Sequence, residues 1–200
     1  MAHPQIAVFA RLANGNAATV RRIEGQAAKL SRTMHSIFFD HIHDEIVVTN
    51  PFAQAVLTFR GDANGEVPPI RIIQGPNTGF DQPDVMSADP VNNEYYVPAV
   101  GDAIHVFPRM TNGDAAPIRV IKGPRTKLVY PTFVFVDLKN DELWVADMGS
   151  HRASVFRRTA SGDVAPIREI RSAPEGTPSP TLANVRIGYD STRDQILAPN

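Results

Sequence analysis

Three groups of side chains in this 200-residue chain are of kinds that do chemistry. His41 and His43 stand one residue apart beside Asp44 and Glu45 (HIHDE). Alternate residues on a strand point the same way, and two imidazoles with a carboxylate are donors that zinc or copper accepts. Asp147 and His151 flank a short loop (DMGSH), where they could act as a ligand pair or as a base. Asn50, Asp102, Asp147 and Asn200 each stand near the end of a strand-like run, at intervals of 45 to 53 residues. Oxygen donors brought together from four such runs would suit calcium or another divalent cation such as magnesium. Each group also has a purely structural reading. A histidine pair in a turn is solvated, and Asp or Asn commonly ends a strand by bonding to nearby backbone.

Other chemistries are excluded by composition and motif. The chain has no cysteine, which removes disulfides, thiolate catalysis and Cys-based zinc sites. A Ser nucleophile motif, a phosphate-cradling glycine loop and HExxH are all missing. Twenty basic and 21 acidic residues leave a formal charge of −1 without any run of one sign, so the footprint of a nucleic-acid partner is lacking. No stretch of about 18 apolar residues is present for a membrane span, and MAHPQIAVFAR lacks the regions of a signal peptide.

The elements that must position these groups recur four times. AVFARLANGNAATVRRIEG, LTFRGDANGEVPPIRIIQG, HVFPRMTNGDAAPIRVIKG and SVFRRTASGDVAPIREIRS carry Phe9, Phe59, Phe107 and Phe156 at intervals of 48 to 50 residues. A period in this range marks a supersecondary unit that buries its apolar face only by stacking on its neighbours. Asn14-Gly15, Asn64-Gly65 and Asn112-Gly113, with the weaker Ser161-Gly162, supply residues that tolerate positive φ in a tight hairpin. Pro69, Pro117 and Pro166 have no N–H to donate, which predicts that the Ile-Arg strand after them is outermost.

Two further runs complete each unit. Ile37–Asp40, Val85–Asp89, Phe133–Asp137 and Val185–Asp190 read as inner strands, and Ile46–Thr49, Tyr95–Pro98, Leu143–Ala146 and Ile196–Ala198 as second strands. Four antiparallel strands per unit of about 49 residues, without helical periodicity, predict an all-β β-propeller with four blade repeats (6–54, 55–102, 103–151 and 152–200) in a single domain over 1–200. The chain starts on the third strand of a blade and ends after the second. This phase predicts that the N- and C-terminal strands pair, within one chain as a four-bladed ring or between two chains as an eight-bladed one; the third reading is a fragment of a longer protein. The repeated Phe and Ile (Ile23, Ile73, Ile121 and Ile170) are expected to pack blade on blade. The repeated Arg and Asp, such as Arg119 and Asp137, are expected to pair or to cap loops.

PTFVFVDLKNDELWVADMGSHRASVFRRTASGDVAPIREI (131–170) resembles an NHL-type propeller repeat of bacterial extracytoplasmic proteins, and the resemblance extends over all four repeats. It implies a binding ring, an extracytoplasmic location and lactonase-like or lyase-like enzymes in neighbouring families. In an antiparallel blade, the connection into the inner strand and the loop after the second strand share one end. Resemblance to other propellers makes that end the ligand face. His35 and Tyr130 enter it from the first set of loops, and Asn50, Asp102, Asp147 and His151 from the second. The expected function is a non-enzymatic scaffold whose loop face binds a protein, a glycan or a small molecule, without a cofactor. The alternatives are a metal-dependent hydrolase of the lactonase type and a subunit of a homodimeric ring.

Overall fold

Each Asn-Gly or Ser-Gly signal in the repeat joins two antiparallel strands. The computed structural model describes residues 4–99, 101–171, 187–190 and 192–197. The chain opens on β1 (Gln5–Val8) and β2 (Arg21–Glu24), paired as a hairpin around Asn14-Gly15. Three complete four-stranded blades follow. The first holds β3 (Ser36–Asp40), β4 (Glu45–Asn50), β5 (Ala55–Arg60) and β6 (Arg71–Gln74). The second holds β7 (Ser87–Asp89), β8 (Glu94–Ala99), β9 (Ala103–Pro108) and β10 (Arg119–Lys122), and the third β11 (Pro131–Asp137), β12 (Glu142–Asp147), β13 (Arg152–Arg157) and β14 (Arg168–Arg171). β15 (Gly188–Asp190) and β16 (Gln195–Leu197) form a last two-stranded sheet. The fold is an all-β propeller: among the described residues every sheet is an antiparallel meander in chain order, and the helical content is three single 3₁₀ turns.

β15–β16 correspond to the inner half of a blade and β1–β2 to the outer half. Among the described residues they lie in separate sheets. The expected strand residues at 185, 186 and 198, and Asn200, fall outside the described residues. The second blade differs from expectation at Val85. Instead of starting β7, Val85 bridges in parallel to Phe133 of the third blade, and β7 is reduced to three residues.

The recurring Asp shapes the turn between inner and second strands. Ile42 and His43 donate their N–H groups to Asp40 Oδ1, as do Lys139 and Asn140 to Asp137 and Thr192 and Arg193 to Asp190. The third residue after each Asp clamps the other oxygen through its side chain. His43 lies 2.8 Å away, and Asn92, Asn140 and Arg193 lie 2.7 Å away. The next position takes positive φ as Asp44, Asn93, Asp141 or Asp194, residue types whose short side chains make that region accessible. The recurring Asp and Arg therefore do not meet. Arg119 instead forms a bidentate pair with Glu94 at 2.8 and 2.7 Å, and Arg71 and Arg168 take Glu45 and Glu142. Glutamate at the start of the second strand faces arginine on the fourth across one intervening strand, which is why sequence proximity misleads here.

Blades are joined by a repeated seam. The hairpin glycine of each blade bonds to the outer strand of the one before, at Ile23 to Gly65, Ile73 to Gly113 and Ile121 to Gly162. The outermost strand is therefore covered by its neighbour, although the residues after Pro69, Pro117 and Pro166 do form it. A second arginine crosses each of two seams: Arg109 reaches Glu45 at 2.9 Å and Arg158 reaches Glu94 at 3.3 Å. Phe59, Phe107 and Phe156 are buried between blades with Ile23, Ile73 and Ile121, as the repeat pattern requires. Burying each ring contributes about 1.5–3 kcal/mol.

A glycine after each outer strand lets the seam close. Gly123 has φ +128°, and a Cβ there would lie 2.6 Å from the Asp163 carboxylate, which receives the Arg125 N–H at 2.7 Å. Gly75 stands against Asp114 in the same way, and Gly25 against Glu66. Gly123→Ala is expected to lower unfolding stability by about 2 kcal/mol or more through backbone strain and collision with Asp163. Urea denaturation should show it as a lower midpoint at an unchanged slope.

Candidate functional site

The loop end of the blades is stitched together by backbone bonds before any chemistry is added. In the third blade, Asp147 at the end of β12 is buried. It accepts the N–H groups of Val129 at 2.7 Å and of Tyr130 and Ser150 at 3.0 Å. One carboxylate thus ties the loop before β11 to the loop after β12. Asn50 has the same position in the first blade. It accepts from Ser31 Oγ at 2.5 Å and donates Nδ2–H to the Lys29 carbonyl at 3.1 Å. The second blade has Ala99 there, and its Pro98 carbonyl takes the Asp84 N–H directly.

Asp102 does not belong to this set. It lies in the turn just before β9, the counterpart of His151 before β13, and pairs with Lys122 at 3.0 Å while its side chain is 44% exposed. The four strand-end oxygens expected from the sequence reduce to Asn50 and Asp147, with Asn200 outside the described residues. His151 is buried at the corner in the left-handed region (φ +54°), like Gln54 (φ +49°) in the first blade. Tyr130 accepts the Met148 N–H through its carbonyl and is half-buried, and Gly149 fits against it. At the opposite end, His43 Nδ1 is committed to Asp40. Among the described residues no group of three or more His, Asp or Glu side chains is placed to hold a metal ion.

His35 has a different setting. Its Nδ1 lies 3.1 Å from Asp84 Oδ1, across the seam between the first and second blades. His35, Asp84 and Thr132 each stand five residues before the turn aspartate of their repeats, where the inner strands begin. The Thr132 hydroxyl is buried without a hydrogen-bond partner. Sequence reasoning picked out His35 and missed Asp84 and Thr132, although counting back from the turn aspartate aligns them. Two apolar side chains, Phe52 and Val129, are exposed in loops at this end.

His105 on β9 was also missed. Its ring is buried edge-on to Phe80, with centroids 6.2 Å apart, and Nδ1 has no hydrogen-bond partner. Burial, followed by the nearby Lys122 charge, lowers its pKa from 6.5 to about 4. At Glu94, burial alone would raise the pKa. The hydrogen bonds from Arg119 and Tyr96 outweigh it and hold the carboxyl below its usual value.

No protein-family model matches the chain, and no curated protein matches it either. Among solved structures it is similar to Chaetomium thermophilum Raptor, with a TM-score of 0.58 and 14% identity. The match covers 79% of this chain and 13% of that one. It supports the propeller fold and carries no activity across.

The histidine gives the fold a pH dependence of definite sign. The folded His105 binds its proton only near pH 4 whereas the unfolded one binds near 6.5, so stability is lost as pH falls through that window. The loss is expected to approach roughly 3 kcal/mol by pH 4. Protonation of Glu94 adds to the loss at the acidic end. Denaturation curves between pH 7 and 4 measure the total, and His105→Gln is expected to flatten the part above pH 5.

Proposed function

We propose that the protein is a non-enzymatic propeller scaffold, built of NHL-type units, that binds a protein or glycan partner through its loop face. The observation that carries this reading is a division of labour among the loop residues. Asn50 and Asp147, at equivalent strand ends, are consumed in bonds to the adjoining loops, whereas Phe52, Val129 and His35 reach solvent. Exposed aromatic and aliphatic groups beside an imidazole provide apolar contact and a directional hydrogen bond, a combination suited to a partner surface. The likeness to an extracytoplasmic repeat family accords with a ligand outside the cytoplasm. A cation at Asp147 would have to displace three backbone N–H groups, which disfavours the hydrolase alternative.

A displayed peptide library and a glycan array, probed with the whole chain, test the reading. Binders are expected to lose about tenfold or more in affinity with Phe52→Asp plus Val129→Asp, and to be unaffected by Met110→Asp in a hairpin at the other end. Binders that ignore the loop variants would place recognition elsewhere. A melting curve raised by millimolar calcium, and no longer raised in Asp147→Asn, would favour the metal-dependent hydrolase instead.

A further inference from the structure

Because the seam occurs three times, the residues a blade face requires of its neighbour can be read by comparison. Among the described residues, the outer face of the third blade is only half covered. Trp144, Ala153 and Val155 pack against Ile187 and Ile196 of the β15–β16 half-blade. Ile170 on β14 is nevertheless 45% exposed, where Ile23, Ile73 and Ile121 are buried. Glu142 holds Arg168, but Glu45 and Glu94 each also hold an arginine from the next blade. A groove of about 390 Å³, lined by Glu142, Trp144, Tyr189 and Ile196, lies open at this place.

What that groove lacks is carried by β1–β2. Phe9 is 52% exposed, whereas Phe59, Phe107 and Phe156 are buried. Arg11 stands two residues after Phe9, as Arg109 and Arg158 stand two residues after Phe107 and Phe156. Gly15 is the hairpin glycine that would bond to β14 beside Ile170. The other end of the arc shows the reciprocal vacancy. A groove of about 280 Å³ runs between β1 and β3, lined by Gln5, Ala7, Ser36 and Ile37. Ile37 is 62% exposed where its counterparts Met86 and Val134 are buried, and Leu197 on β16 is exposed in turn.

Charge follows the same register. The blade that would present Gln195 in place of glutamate precedes the blade with Gly61 in place of the crossing arginine, so that seam lacks both partners. The remaining seam keeps both, as Glu142 and Arg11.

We propose that the two surfaces close on a second copy of this chain. β1–β2 of one protomer completes the β15–β16 half-blade of the other, and the converse, giving an eight-bladed ring with two blades built from two chains each. Within one chain the halves dock at opposite ends of a three-blade arc, in separate sheets, and leave both grooves open. A twofold axis fills both grooves at once with complementary edges and leaves no strand edge unpaired. The proposal does not depend on the loop-face reading, and its test uses no ligand.

Continuing the register of β12 on β13, where Glu142 faces Arg157 and Leu143 faces Phe156, sets Gln195 opposite Ala10 and Ile196 opposite Phe9. Both Ala10 and Gln195 are exposed and the chain has no cysteine, so Ala10→Cys with Gln195→Cys gives a clean cross-link. Light scattering is expected to show twice the 21.9 kDa chain mass, and oxidation to join two chains. Mixing the two single-cysteine variants is expected to give the same joined product. A disulfide confined to one chain of monomer mass, or none at all, overturns the proposal. Arg11→Glu, with circular dichroism confirming the fold, is expected to weaken the dimer about tenfold or more. An unchanged dimer dissociation constant overturns the assignment of Arg11 to Glu142.

Discussion

The seam between blades is the constraint on which the rest of the structure depends. A four-stranded blade is apolar on both faces and cannot bury either one alone, so each must meet its neighbour in one register. The parallel bridges from Ile23 to Gly65, Ile73 to Gly113 and Ile121 to Gly162 set that register. The acid after each hairpin glycine, Glu66, Asp114 or Asp163, then bonds to backbone just beyond the preceding outer strand. With the seam in place the Phe ladder is covered, and the glutamates at the starts of the second strands sit within reach of arginines from two blades. These pairs are largely buried, and removing one partner would leave a charge stranded in a poorly solvated place. They specify alignment as much as they add stability.

The same economy of backbone bonding governs the loop end. Asp147 and Asn50 look like ligands in a list of residues, yet Asp147 accepts N–H groups from two loops and Asn50 is bonded to Ser31 and the Lys29 carbonyl of one. Thr78 and Thr126 make a parallel arrangement after the outer strands, each donating to the carbonyl of the glycine three residues before. Repetition marks this work. The exposed side chains Phe52, Val129 and His35 lie where the repeats diverge.

Much of the fold was legible because its signals are local. Asn-Gly hairpins, the Asp that caps a four-residue turn and the alternation of apolar residues all act within a few positions of one another, and the strands fall close to where the pattern sets them. The misplacements are equally instructive. The recurring Arg and Asp were expected to pair or to cap loops: Asp137 caps its turn, whereas the partner of Arg119 is Glu94, 25 residues away on a strand two places over. Asp102 was taken as a strand end because β8 stops at Ala99, which carries no polar signal, and the next acid in sequence attracted the assignment. Val85 was read as the start of its own strand, whereas its backbone is used by Phe133 of the neighbouring blade. His105 left no trace in the sequence, since nothing local marks a lone strand histidine as buried beside Phe80.

The sequence by itself determined the repeat and the four-strand blade, because turn residues and hydrophobic alternation encode backbone conformation directly. Tertiary structure alone decided which charges pair, which acids are spent on backbone and which apolar residues remain open at Phe9, Ile37 and Ile170. Those outcomes depend on distances between strands and blades far apart in the chain, and side-chain identity carries no record of such distances until the seams have formed.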